Sequence, residues 1–203
     1  MRGIIYSANI GQGKLAKYDW NEPHNQNDPG VLFQYTTGVS ESRRESRYVS
    51  RRIKIANPPQ NQNGWAAWLD SSMRLTKPIG AKIDEWTKEH QLVVVKHPWR
   101  DCAYDEIDEC VKLKKVTEEE GETARRELTR RQHPKHYGLY SCGFVVFNGM
   151  MFDLRSDWWL LTNIVMRDQF WLPTLVREKN IKTNVLDINI YDNKWFKYKS
   201  HGT

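Results

Sequence analysis

The sequence has few cysteines, no long apolar run and no low-complexity segment. Cys102, Cys110 and Cys142 are its three cysteines. They show no CxxC spacing, and their odd number argues against a disulfide framework. A reducing cytoplasm is the expected location. No stretch holds the roughly 20 apolar residues that a membrane span needs. The opening Met1-Arg2-Gly3-Ile4-Ile5-Tyr6 is too short an apolar run for a secretory signal and reads as the start of a strand. Without Gly/Ser linkers, Pro-rich runs or repeats, one domain is expected over the 203 residues. Common catalytic signatures are also missing. Gly11-Gln12-Gly13-Lys14 lacks the Walker A spacing and the Ser or Thr after its Lys. No GxSxG elbow, HExxH pair or zinc-finger spacing occurs.

What is present is core-forming material. Hydrophobic residues make up 39%, with nine Trp, nine Tyr and six Phe, a composition that a disordered chain does not have. The formal net charge of +6 suits either an anionic partner (a nucleotide phosphate or a nucleic acid) or a merely basic surface.

Periodicity predicts strands at 2–6, 31–35, 65–69, 92–95, 144–147 and 185–190. Helices are predicted at 41–56, after Thr76 as a cap with Pro78 in the first turn, and at 103–115, 117–132, 156–166 and 168–179. Val49, Ile53 and Ala56 form the apolar stripe expected of the first helix, with Arg47, Arg51 and Lys54 on another face. Thr117 and Glu120 match a capping box, Pro173 is expected to kink or restart the last helix, and 9–13 reads as a turn-prone loop. Strands alternating with helices give an α/β class with a mostly parallel central sheet. Ligands bind beyond the carboxyl ends of such strands, which singles out the segments 9–13, 70–72 and 97–100.

Several constellations could carry chemistry. Asp70, ending the apolar Trp65–Leu69 run with Ser71 and Ser72 behind it, suits either a hard-cation ligand or a strand-end turn. Arg47, Arg51 and Lys54 suit a diphosphate, a nucleic-acid backbone or a solvated face. His97, Arg100, Tyr104, Asp105 and Glu106 suit an anionic or hydroxyl-rich ligand, or a loop packed by Trp99. Gly138 and Gly143 allow close backbone approach. The neighbouring Tyr137 and Tyr140 suit stacking on a ring, or the core. Asp168, between Arg167 and Gln169, stays ionised beside its Arg and can stabilise an oxocarbenium-like centre; it can equally cap the helix that follows.

The order of these segments resembles a GT-A-like glycosyltransferase family found in bacteria, viruses and plants, including plant mucilage-related transferases. The resemblance rests on Tyr6-Ser7-Ala8-Asn9-Ile10-Gly11, Arg51 with Lys54, Trp68-Leu69-Asp70-Ser71-Ser72, the His97-to-Glu106 segment, Gly143, Trp158-Trp159 and Arg167-Asp168-Gln169. It spans residues 4–179 approximately. It implies a single domain with a Rossmann-like donor half over about 1–100 and an acceptor half with its tail over about 101–203. Tyr6, Ala8, Asn9, Arg51, Lys54, Asp70 and Ser72 are then donor-binding. His97, Arg100, Tyr104, Tyr140, Cys142 and Gly143 position the sugar or acceptor, and Arg167, Asp168 and Gln169 are catalytic. Asp70 matches the first acid of a metal site whose second acid is here Ser72, and His201 matches a C-terminal metal ligand.

The expectation is a retaining, Mn²⁺- or Mg²⁺-assisted transferase using a nucleotide sugar, a UDP-sugar foremost. Its acceptor is a saccharide or, close behind, hydroxymethylated bases of viral DNA, as in bacteriophage DNA modification. The rival readings are a non-catalytic nucleic-acid-binding module and a hydrolase on the same fold.

Overall fold

The computed structural model describes residues 3–12, 28–61 and 64–198. His201, the expected metal ligand, lies outside them, as do Gly13 and Lys14.

Six strands make the central sheet: β1 (Gly3–Gln12), β2 (Val31–Ser40), β3 (Trp65–Leu69), β5 (Leu92–Lys96), β6 (Tyr140–Asn148) and β7 (Thr183–Leu186). Their spatial order is β2-β1-β3-β6-β5-β7. β1 pairs in parallel with β2 and β3, β5 in parallel with β7, and β6 runs antiparallel to both its neighbours. The mostly parallel α/β sheet expected from the alternation of strands and helices is present.

Period-two alternation splits the core between the faces of this sheet. Ile4, Tyr6 and Ala8 of β1 join Trp68, Val94 and Val145 on one face. That face is covered by α3 (Ala103–Lys112), α4 (Glu118–Arg130), α5 (Phe152–Ile164) and α6 (Asp168–Glu178), which contribute Ile107, Leu128, Trp158 and Trp171. Ile5, Ala67, Val93 and Phe144 face the other way, onto Ile79, Ile83 and Trp86 around α2 (Gly80–Thr87). A two-stranded sheet of β4 (Met73–Leu75) and β8 (Phe196–Tyr198) closes the same side, with Met73, Leu75 and Phe196 inward. Strands covered on both faces are apolar throughout rather than alternating, and all five residues of β3 are buried.

Several local expectations are corrected. Residues 9–12 continue β1 as strand, because β2 extends beside them to Ser40 with Asn9 opposite Thr37. Thr76 does not cap α2; its hydroxyl donates to the Lys194 carbonyl, and the Asp28 carboxylate accepts from the amides of Ile79 and Gly80 instead. Asp168 is not a cap either: it is the first residue of α6, with Arg167 at the N-cap. The same helix runs on through Pro173 to Glu178. The last central-sheet strand is shorter than 185–190, and β8 was not anticipated. The Thr117–Glu120 capping box is formed as expected.

The largest departure is in the basic helix. α1 (Arg43–Arg51) gives way to a π turn over Arg52–Ala56, closed by the Asn57 amide donating to the Arg52 carbonyl at 2.9 Å. The wider turn rotates the stripe that α-periodicity keeps on one face. Arg47 is exposed, Arg51 half-buried and Lys54 fully inside, with Ile55 beside it in the core. The carbonyls of the π turn find partners off the helix. Tyr6 Oη donates to the Lys54 carbonyl at 2.7 Å, and the Arg155 guanidinium donates to those of Ile55 and Ala56 at 3.1 and 3.3 Å. Two buried polar side chains thus satisfy backbone acceptors that burial would otherwise leave costly.

Candidate functional site

At the carboxyl edge of β3 the chain leaves the core at Asp70, and β6 beside it is irregular. Val94 of β5 pairs with Val145, but Val95 pairs with Ser141. Cys142, Gly143 and Phe144 therefore bulge between the two pairings, as a strand does where it re-aims groups towards a site. The bulge turns the Gly143 carbonyl to the Asp70 amide at 2.8 Å and the Cys142 carbonyl to the Lys54 ammonium. A β-carbon on Gly143 would lie 3.2 Å from Met73 Sδ and 3.4 Å from Asp70 Oδ2, so the glycine leaves room beside that carboxylate.

Asp168 closes the arrangement. Its Oδ2 lies 2.6 Å from Lys54 Nζ, and its Oδ1 lies 3.3 Å from Arg51 Nε. The Lys54 and Asp168 side chains are 4% and 5% exposed, so this is a buried pair. Lys54 also sits over the rings of Trp68 and Trp158, 5.7 and 5.6 Å from their centroids. Burial alone would raise the Asp168 pKa, but Lys54 and Arg51, with Arg167 behind them, hold it well below the carboxylate range. Burial likewise opposes the charge on Lys54, and Asp168 overrides it, so the ammonium stays protonated. Asp70 moves the other way: burial raises its pKa, and Lys54 and the Trp68 indole offset only part of the rise. Trp68 Nε1 donates to Asp70 Oδ1 at 2.5 Å, leaving Oδ2 on the Gly143 side. Burial pushes the Cys142 thiol up to about 12, which removes it as a nucleophile near neutral pH.

These groups line a cleft of about 320 Å³ that contains Ala8, Arg51, Lys54, Asp70, Ser72, Cys142, Gly143, Arg167, Asp168 and Gln169, with Ser50, Trp68 and Ser71. Cations outnumber carboxylates in it. The buried Nε of Arg167 has no hydrogen-bond partner among the described residues, and the buried Nε of Arg51 faces Asp168 Oδ1 at 3.3 Å. Arg47 lines neither cleft, and partial burial with the nearby Arg51 and Arg167 holds it below its usual pKa. Two guanidiniums converging on one cleft suit an anion.

A second cleft of about 400 Å³ shares Asp70, Ser72, Cys142, Gly143, Arg167 and Gln169 with the first, and adds His97, Arg100, Glu106 and an aromatic wall. Glu106 is buried at its centre, with Arg100 Nε at 2.5 Å, Arg167 Nη2 at 3.5 Å and His97 Nε2 at 3.8 Å. His97 Nδ1 accepts from the Arg100 amide at 3.1 Å, so the ring proton belongs on Nε2, facing Glu106. Burial lowers the His97 pKa, and the imidazole is neutral at pH 7.

Four of the expected site residues lie off both clefts. Tyr6 is buried under the π turn. Asn9 is buried in β1. Tyr140 is buried in β6 with its phenol pushed up to about 12 by burial. Tyr104 donates to the His133 carbonyl at 2.9 Å. Conversely Trp99, Lys115, Tyr191 and Tyr198 line the second cleft and were not anticipated. Periodicity does not mark them, because they sit in a loop, after a helix end and on a three-residue strand paired across most of the chain.

No protein-family profile matches the sequence, and no curated protein matches it. Solved structures do. One is a glycosyltransferase involved in the glycosylation of the major capsid of PBCV-1, 14% identical, aligned over 100% of this chain and 95% of that one with a TM-score of 0.53. The fold is glycosyltransferase-like. A197 from STIV aligns over 92% of this chain and 82% of its own, at 9% identity and a TM-score of 0.43. In the glycosyltransferase-like fold both clefts open at the carboxyl edge of β3, where α/β sheets hold their ligands.

Proposed function

We propose that the chain is a retaining glycosyltransferase that moves a sugar from a nucleotide-sugar donor to a hydroxyl acceptor. The observation that carries this reading is the ionised, buried Asp168 in a cleft that the guanidinium groups of Arg51 and Arg167 also line. Such a cleft suits a ligand that is anionic at one end and develops positive charge at the other. The diphosphate of a nucleotide sugar and its reacting anomeric carbon are that pair.

In this reading Arg51 and Arg167 hold the diphosphate. Lys54, first read as a phosphate ligand, has its ammonium committed to Asp168 and the Cys142 carbonyl, so its part is to keep Asp168 charged and fixed. The bond from the anomeric carbon to the diphosphate oxygen breaks, and its electron pair leaves with the diphosphate. The acceptor oxygen bonds to the same face of that carbon and loses its proton to the departing phosphate oxygen. Asp168 stabilises the transient positive charge, preorganised by its ion pairs so that little reorganisation is needed. Gln169, in both clefts, is placed to orient the sugar between them.

Asp70 fits a divalent cation in one respect. Its Oδ2, in a cleft that Ser71 and Ser72 also line, is a hard oxygen ligand suited to Mg²⁺ or Mn²⁺ when substrate phosphates supply further ligands. Such an ion would neutralise charge on the leaving diphosphate. Among the described residues, a grouping of three metal-ligand side chains occurs elsewhere, at Cys102, Asp105 and His136, and lines neither cleft.

Thermal unfolding with UDP-sugars, with and without Mn²⁺, tests the reading. A ligand that binds only the native state raises Tm. A Mn²⁺-dependent rise is expected. No rise with any nucleotide sugar would overturn the proposal.

A further inference from the structure

The second cleft has a wall that neither the anion site nor the chemistry uses. Among the described residues five tryptophans (65, 68, 86, 158 and 171) are buried, but Trp99 is 67% exposed. It lies against Tyr191, ring centroids 5.4 Å apart and planes 23° from parallel, and Tyr191 meets Tyr198 edge-on at 5.5 Å. Tyr191 and Tyr198 are themselves 39% and 46% exposed. The three rings form a shelf beside Asp70, Gly143 and Gln169.

The shelf is anchored from below. The Tyr198 amide donates to the Tyr191 carbonyl at 2.6 Å, and Tyr198 pairs with Met73 just beyond Asp70. Phe196, in the same strand, is buried against Phe144 with ring centroids 5.3 Å apart. Behind Trp99, His97 is edge-on at 5.8 Å and fixed by the Arg100 amide. Rigid, exposed aromatic faces lose little entropy when a ligand stacks on them.

We propose that this shelf seats a saccharide acceptor, one sugar ring lying on Trp99 with Tyr191 and Tyr198 extending the platform and a hydroxyl turned towards the junction of the two clefts. This rests on the transferase reading above. The ring faces give apolar contact to the C–H face of a pyranose, while the polar floor of Ser72, Ser141 and Gln169 offers its hydroxyls partners. Charge decides against a nucleic acid. Arg100 is paired with Glu106 and Arg167 is assigned to the donor diphosphate, which leaves Lys115 as the lining cation without an acidic partner among the described residues. A nucleic-acid backbone calls for several free cations along its track.

Saturation-transfer NMR with methyl glucosides, galactosides and xylosides, alone and with UDP and Mn²⁺, tests this. Transfer to the ring protons of at least one glycoside is expected. Trp99→Ala should weaken that glycoside about tenfold or more, and Trp99→Phe should restore most of the loss. Tyr198→Ala gives an independent reading from the other end of the shelf. Overturning results are no transfer from any glycoside, or binding indifferent to both alanine variants. Salt-sensitive capture of a single-stranded DNA oligonucleotide that Trp99→Ala abolishes would also overturn it, in favour of a nucleic-acid acceptor. A Tm rise with UDP-sugar but no glycoside contact would sink this inference alone. Glycoside contact without any nucleotide-sugar response would sink the transferase reading and leave a sugar-binding shelf.

Discussion

The two clefts meet at Asp70, Gly143 and Gln169, yet they are built by opposite means. The first takes its character from buried charge. Its Lys54–Asp168 pair is inside the core, ringed by Trp68 and Trp158 and held in place by a π turn that Tyr6 and Arg155 support. The second takes its character from exposed aromatics standing on a small outer sheet. A site that must stabilise charge needs its charges fixed and desolvated, which couples it to the stability of the whole fold. A site that grips a ring by stacking can stand at the surface, and altering it should cost binding rather than folding.

The largest test breaks the buried pair. Lys54→Met leaves Asp168 buried without its closest cation and should cost about 3–5 kcal/mol in denaturant unfolding. Asp168→Asn should cost a similar amount and cut turnover at least about a hundredfold at temperatures where the variant is folded. Replacing both together, Lys54→Met with Asp168→Leu, should be less harmful to stability than the sum of the singles, because no charge is then stranded. By contrast, Trp99→Ala should leave the unfolding midpoint nearly unchanged. If Lys54→Met were as mild as Trp99→Ala, the contrast between the clefts would fail.

The two acids of the first cleft separate under pH. The depressed pKa of Asp168 contributes stability that is complete above the ordinary carboxylate value of about 3.9 and is lost as pH falls below it towards the depressed value. Asp70 has a raised pKa, so the native state favours its protonated form, and its contribution erodes as pH climbs from about 3.9 through that raised value. Asp168→Asn should therefore flatten the acid limb of the stability–pH curve. Asp70→Asn should gain on the wild type as pH rises from about 4 towards neutrality. Acid unfolding followed by fluorescence distinguishes them, and parallel curves would refute the assignment of opposite shifts.

Much of this site was legible because its residues sit at ends of strongly patterned elements. Asp70 closes an apolar strand, and Arg167-Asp168 opens a helix, so a sheet rule brings both to one edge. Gly143, just before the predicted 144–147 strand, is expected to allow close backbone approach, and it lies in the bulge of a β6 that begins earlier than predicted. What was hidden depends on contacts distant in the chain. Lys54 sits on the same α-helical stripe as Arg47 and Arg51, and only a π turn, stabilised by Tyr6 and Arg155, carries it into the core. The same contact explains Tyr6: its phenol supports the turn and stands away from the cleft. The shelf was hidden for a similar reason, because β8 is three residues long and exists through its pairing with β4. No periodicity survives in so short a segment.

A smaller effect tests the junction of the clefts. Gly143→Ala introduces a methyl 3.2 Å from Met73 Sδ and 3.4 Å from Asp70 Oδ2. The Met side chain is flexible enough to yield, so the stability loss should stay under about 1 kcal/mol. Room beside Oδ2 disappears all the same, and the Mn²⁺-dependent part of the UDP-sugar Tm rise should shrink. An unchanged metal dependence would move the cation away from Asp70.

The smallest test sets the baseline for all of these. Thr117 and Glu120 form the capping box of α4, whose charged outer face lines neither cleft. Thr117→Ala removes the hydroxyl that accepts from the Glu120 amide at 3.1 Å. The expected cost is about 1 kcal/mol, or about 2–4 °C in Tm for a chain of this size. Ligand binding in both clefts should be unaffected at temperatures well below Tm. That result would show that a modest global loss does not by itself disturb either site, so losses of binding in the Lys54, Asp168 and Trp99 variants can be read locally. A capping variant that weakened glycoside contact as much as Trp99→Ala would mean that the aromatic shelf shares the fold-wide coupling of the buried pair.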